Sequence, residues 1–196
     1  DPIVPRFGAG ALSDVLPAIG AQLGVSGFGD VLGLPAADRY VLLLIDGLGE
    51  RQLADAPGVA PHLSAGLAAG RTLTSVVPST TVSAITSLAT GLTPGEHGMA
   101  GYSFAHPFAG GVLNALAWEH GLSGLDVQPR FTALERLARA GITVSTVLPG
   151  RFARTGLTEA ALRGGRFVGI ADEEDFATRV DQIVDAALAG QRTFVY

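Results

Sequence analysis

The chain has no cysteine and no lysine, and a single methionine and a single tryptophan among 196 residues. Without cysteine, disulfides, thiolate zinc fingers, iron–sulfur clusters and thiol nucleophiles are excluded within it. Charged residues are only 16% of the whole, and the formal net charge is −5. No basic block occurs, so binding of a nucleic acid polymer has no electrostatic support. All 13 basic residues are arginine, which reads as the codon bias of a GC-rich genome rather than as function. No apolar run reaches the length of about 18 residues that a membrane span needs. Residues 1–10 lack the basic segment and apolar core of a secretory signal. The expected compartment is the cytoplasm, with secretion or a periplasmic site after removal of a leader as the alternative.

What is present suffices for a core. Hydrophobic residues make up 47%, which excludes a disordered chain. Glycine is abundant at 27 residues but follows no collagen-like period. Residues 8–25 carry Leu12, Val15, Leu16, Ile19 and Leu23 at helical spacing. Residues 40–45 (YVLLLI) are a short continuous apolar run, predicting a strand buried on both faces. Residues 51–69 read as helix interrupted near Pro57 and Pro61, and 73–77 as a second buried strand stopped by Pro78. A helix is predicted over 81–90, closed by Gly91, and a glycine-rich loop with a possible hairpin over 93–123. Further helices are expected at 132–140, 158–163 and 173–188, the last with Phe176, Val180, Ile183, Val184 and Leu188 on its apolar face. Further strands are expected at 142–148, 167–170 and 193–196. Strands alternating with helices predict an α/β fold with a mainly parallel sheet sandwiched between helices.

In such a sheet, ligands bind at the carboxyl ends of strands, and two features fall there. Asp46-Gly47 follows YVLLLI. A carboxylate at this place reads either as a ligand for a hard or borderline cation or as an Asx turn or helix cap. Pro78-Ser79-Thr80-Thr81 follows the 73–77 segment and precedes a helix. Its hydroxyl and N–H groups suit an anion such as phosphate, and a hydroxyl there becomes a nucleophile once its pKa is lowered; the other reading is simple helix capping. His62, His97, His106 and His120 have no ligand spacing, and Glu119-His120 is a weak metal candidate. The acidic run Asp172-Glu173-Glu174-Asp175 reads most simply as a helix start favoured by the macrodipole. No G-x-S-x-G elbow, P-loop or complete dinucleotide fingerprint occurs.

Taken together, Asp46-Gly47 after an apolar strand and PSTTVSAITSLATGLTPGEHG at 78–98 resemble the alkaline phosphatase superfamily, in particular its type I phosphodiesterase / nucleotide pyrophosphatase branch. The resemblance is strong over 41–102. It implies an alkaline-phosphatase-like fold, with Asp46 as a metal ligand and Thr81 as both metal ligand and nucleophile. It also implies two divalent metal ions, zinc with manganese as the alternative, and a phospho-threonine intermediate. The expected partner is a small phosphate ester or nucleotide, with neither a nucleic acid polymer nor a membrane. In that family an Asn stands 21 residues after the nucleophile and binds a phosphoryl oxygen. Here the position is Tyr102, whose phenol also donates a hydrogen bond, which points to a bacterial subgroup with another phosphate ester. The family's remaining ligands, a D-x-x-x-H motif, a D-H pair and a later His, are not found in these residues. Residues 1–196 are therefore expected to be the N-terminal portion of one domain, the rest of which supplies those ligands. His97 is expected to support its loop rather than bind metal. Alternatives are a phosphomonoesterase or phosphomutase of the same superfamily, or a non-catalytic α/β binding module; a sulfatase is disfavoured by a threonine at the nucleophile position.

Overall fold

The computed structural model describes residues 3–118 and 121–196. Glu119 and His120, weighed above as a metal pair, lie outside the described residues. The elements run α1 (Val15–Gln22), β1 (Arg39–Val41), α2 (Glu50–Asp55), α3 (Pro61–Ala69), α4 (Thr81–Thr90), α5 (Pro94–His97), β2 (Ser103–His106), β3 (Gly111–Asn114), α6 (Gly124–Val127), α7 (Ala133–Arg139), β4 (Thr143–Pro149), α8 (Gly156–Ala161), β5 (Arg166–Ile170), α9 (Phe176–Leu188) and β6 (Thr193–Val195). The main sheet has four strands in the order β1-β6-β4-β5, and all its pairings are parallel. A separate antiparallel hairpin joins β2 to β3, inside the stretch read from sequence as loop with a hairpin.

The expected α/β architecture, a parallel sheet flanked by helices, is what the chain adopts. One face of the sheet carries the main core, where Leu16, Ile19 and Leu23 of the first helical segment meet Leu88, Leu134, Leu137, Val144 and Phe194. Helical spacing at the sequence level therefore located this core correctly. On the opposite face, Ile183 and Ala186 of α9 pack with Val147, Ile170 and Val195. Helix starts follow local chemistry. The Thr132 hydroxyl accepts the Glu135 N–H at 3.0 Å and the Glu135 carboxylate accepts the Thr132 N–H at 2.9 Å, a capping box at the head of α7. Helix α4 ends at Gly91, which has φ +72°, a left-handed conformation that disfavours any residue with a Cβ. A Cβ there would also lie 2.7 Å from Pro17, so this glycine lets α4 pack close to α1.

Three sequence expectations need correction. The YVLLLI run is not buried on both faces: Tyr40, Leu42 and Leu44 pack against the core, whereas Val41 and Leu43 are 51% and 69% exposed. The reason is position. The run leads from the edge strand β1, and although α9 also lies near β1, its packed side chains Ile183, Ala186 and Ala187 meet Val147, Val168, Ile170 and Val195 and leave Val41 and Leu43 uncovered. Second, residues 73–77 do not form a strand of the sheet. Thr74 makes an isolated bridge to Ala11, its N–H donating to Gly10 and its carbonyl accepting from Leu12. Val76 is buried while Val77 faces solvent, so an apolar run that looked continuous is divided between inside and outside. Third, α9 does not bury the apolar face assigned to it. Ile183, Ala186 and Ala187 meet the sheet, while Phe176, Val180, Val184 and Leu188 are exposed.

Candidate functional site

The candidate site lies where Asp46, leaving the edge strand, meets the first turn of α4. Thr80 is the N-cap of α4, with extended backbone and no capping bond from its side chain. Thr81 is the first residue of the helix proper. The first intrahelical bond runs from the Ala84 N–H to the Thr80 carbonyl. The N–H groups of Thr81, Val82 and Ser83 thus have no acceptor within the helix, as at any helix start, and form a natural anion cradle.

Two hydroxyls and a carboxylate converge here from distant parts of the chain. The Thr81 hydroxyl donates to Asp46 Oδ2 at 3.1 Å, and the Tyr102 hydroxyl lies 3.4 Å from Thr81 Oγ1. Thr81 has one hydroxyl proton, and it points at Asp46. Tyr102 is therefore the donor in the second contact. Both distances exceed the usual 2.7–2.8 Å of an O–H···O bond, a looseness typical of sites whose bonds tighten around a ligand. Asp46 does not cap the helix that follows it: Gly49 is the N-cap of α2. The three residues singled out from sequence (Asp46, Thr81 and Tyr102) are thus brought together.

Asp46 and Thr81 line two hollows at once. One, of about 640 Å³, opens over the carboxyl edge of the sheet, with Ile85, Leu116, Leu148 and Tyr196 in its wall. The other, of about 670 Å³, lies toward α2 and α3 and includes Ser79 and Glu50. Tyr196 was not singled out from sequence. Burial, reinforced by the nearby Asp46 charge, pushes its phenol up to about 12. Its place at the site follows from β6 lying beside β1, an order of strands that sequence periodicity does not carry.

The remaining candidates do not join the site. His97 is buried, and burial pulls its pKa down to about 4 against a weaker upward push from Glu96. Its Nδ1 accepts the Met99 N–H at 3.0 Å, which assigns its proton to Nε2, 2.8 Å from Ser87 Oγ. The acidic run acts locally: the Asp175 carboxylate caps α9 through the Thr178 N–H at 3.0 Å, and Glu173 pairs with Arg151. The Thr178 bonds hold the Asp175 carboxyl below its usual range. Among the described residues no group of three or more His, Asp or Glu side chains is gathered to hold a metal ion. The Asp46 carboxylate and Thr81 hydroxyl are hard oxygen donors of the kind a divalent cation takes, but two donors fall short of the four of a zinc site.

Residues 40–193 match the protein-family model described as Type I phosphodiesterase / nucleotide pyrophosphatase. Comparison with curated proteins and with solved structures gives no match.

Proposed function

The chain belongs to the type I phosphodiesterase / nucleotide pyrophosphatase family, and on that footing we propose that it is the N-terminal portion of a metal-dependent hydrolase of phosphoric diesters with Thr81 as nucleophile. The observation that carries the proposal is the Thr81 hydroxyl at the head of α4, 3.1 Å from the Asp46 carboxylate and 3.4 Å from the Tyr102 phenol. A loop aspartate, a helix-start threonine and a loop tyrosine converge without a capping role that would account for the meeting.

Asp46 and Thr81 would hold one divalent ion of a pair, zinc or manganese, with the other ligands coming from polypeptide outside these 196 residues. Such a pair supplies Lewis acidity, which favours the alkoxide and neutralises phosphoryl charge. The chain's own residues do the rest. Thr81 Oγ1 attacks phosphorus in line, a P–O bond forms, and the leaving ester oxygen departs with its electron pair. The Thr81 proton already points along the line to Asp46. The N–H groups of Thr81, Val82 and Ser83 face the developing negative charge, and preorganised donors of this kind are worth about 10²–10³ in rate. Tyr102 donates to a phosphoryl oxygen. Water then cleaves the phospho-threonine and restores the hydroxyl.

The test is hydrolysis of bis(p-nitrophenyl) phosphate and of p-nitrophenyl phosphate by the zinc-loaded longer protein that carries these residues together with the remaining metal ligands, and by its Thr81→Ala variant. Wild-type turnover faster on the diester, a phospho-threonine trapped by acid quench, and loss of turnover in Thr81→Ala are expected. Undiminished turnover in Thr81→Ala removes the nucleophile; faster turnover of the monoester replaces the diesterase reading with a monoesterase.

A further inference from the structure

Residues 97–102 run back along α4 like a strap, opposite in direction to the helix, and touch it at three levels. His97 meets Ser87 through Nε2 at 2.8 Å, late in the helix. Met99, with no exposed surface, packs in one cluster with Val82, Leu113 and Ala115. Tyr102 reaches Thr81 at the helix start. The strap's own bend is fixed by the His97 ring, whose Nδ1 accepts the Met99 N–H two residues on, at 3.0 Å. At the other end the Tyr102 carbonyl accepts the Ala115 N–H at 2.8 Å, tying the strap to the end of the β2–β3 hairpin.

One imidazole thus uses both nitrogens to join helix and strap. Neither bond is available to a purely apolar side chain filling the same space. An apolar core would leave Ser87 and the Met99 N–H without these partners, which is costly where both are buried. The spacing from Ser87 to Thr81 is set by a rigid helix, so whatever fixes the strap at Ser87 also fixes how far along α4 the Tyr102 hydroxyl falls.

We propose that His97 is a positioning residue: by clamping the 97–102 strap to Ser87, it sets the Tyr102 hydroxyl against Thr81 and hence against the phosphoryl oxygen it serves. The proposal rests on the reading of Thr81 and Tyr102 given above. It separates His97 from a generic core residue, because its effect passes through a single hydroxyl some distance away.

The experiment uses the zinc-loaded longer protein that carries the remaining metal ligands, with His97→Asn, His97→Gln, Ser87→Ala and Tyr102→Phe, alone and combined. Asn keeps an acceptor near the Nδ1 position and Gln keeps a donor near Nε2, so each retains one half of the clamp. Ser87→Ala is the gentlest break and guards against simple unfolding. On bis(p-nitrophenyl) phosphate, each clamp variant is expected to lower kcat about tenfold, the scale of one misplaced hydrogen bond. The same clamp variant in the Tyr102→Phe background is expected to add almost nothing. Effects that multiply across the two sites, or clamp variants with full kcat, overturn the proposal. A second readout needs neither metal nor turnover: with 13C-labelled tyrosine, the Tyr102 resonance of the metal-free chain, identified by its loss in Tyr102→Phe, is expected to move in Ser87→Ala. An unmoved resonance overturns the clamp. If the longer protein that carries the remaining metal ligands fails to hydrolyse the ester, the assignment of Thr81 falls, and this resonance alone decides the role of His97.

Discussion

Helix α4 with its strap and the face formed by residues 40–45 and α9 treat side chains in opposite ways. Around α4, polar groups are buried: Ser83, Thr86, Ser87, Thr90 and His97 are all nearly or fully inside. Their partners are close at hand. Thr86 donates to the Val82 carbonyl and Thr90 to the Thr86 carbonyl, each at 2.7 Å, Thr80 donates to Ser83, and Ser87 meets His97. On the other face, apolar groups stay out: Val41, Leu43, Phe176, Val180, Val184 and Leu188 are exposed. A buried polar group is tolerated when its partner is supplied locally. An exposed apolar one forgoes roughly 25 cal/mol for each Å² left in water. The lesson is that the α4 corner is completed by its own residues, and this is where the candidate chemistry sits.

The sharpest way to break the comparison is at Thr81. In the proposed mechanism Thr81→Ala is expected to lower ester hydrolysis by at least about 10³-fold, the scale for loss of a nucleophile, with an unchanged circular dichroism spectrum. Chelation is expected to do the same reversibly, with activity returning when zinc is restored; activity that survives exhaustive dialysis against a chelator counts against metal dependence. Next in size is the core that supports both regions. Phe194 lies in the interior strand β6 without exposed surface, and Phe194→Ala is expected to cost about 3–5 kcal/mol in urea unfolding.

A smaller effect concerns pH. Burial holds the folded His97 near 4, below its ordinary 6.5. As pH falls the unfolded chain takes up this proton first, so the folded state loses stability between about 6.5 and about 4 and is fully supported above that window. Urea midpoints across this range are expected to fall for the wild type, and to fall less for His97→Gln. A pH dependence identical in both would mean that other groups carry it. The smallest effect is expected on the exposed stripe: Val180→Ser and Val184→Ser should each change unfolding free energy by less than about 0.5 kcal/mol. A large loss in either would mean that this stripe is covered in solution.

Much of this organisation was legible in the residues. Apolar periodicity located α1, start and stop residues located α4, the alternation of strands with helices pointed to the α/β class, and the pairing of Asp46-Gly47 with a helix-start Thr81 pointed to one place. What periodicity does not carry is which neighbour covers a face. The YVLLLI run is apolar throughout, yet only the side of Leu42 and Leu44 finds a partner in the main core, because the α9 side chains packed on the other face meet β4, β5 and β6 instead. Residues 73–77 look like a strand for the same reason, but their backbone partner is the segment around Gly10 and Ala11 rather than the sheet. The three site residues were nameable from motif spacing, whereas Tyr196 depended on β6 lying next to β1. The two-sided bonding of His97 also had no sequence signal beyond a histidine closing a short helix.

The pairing of β1 with β6 has a consequence for how the molecule comes into being. Arg39 registers with Thr193 and Val41 with Val195, so among the described residues an early strand finds its sheet neighbour far along the chain. At a translation rate of about 5–20 residues per second, β1 waits on the order of ten seconds for that neighbour to be synthesised. Contacts so distant along the chain close slowly. During the wait the apolar run from Tyr40 to Ile45 is a bare edge, and the Asp46 that follows it has no fixed position. The candidate site is therefore assembled only after β6 has paired with β1, and its formation reports that this pairing has been made.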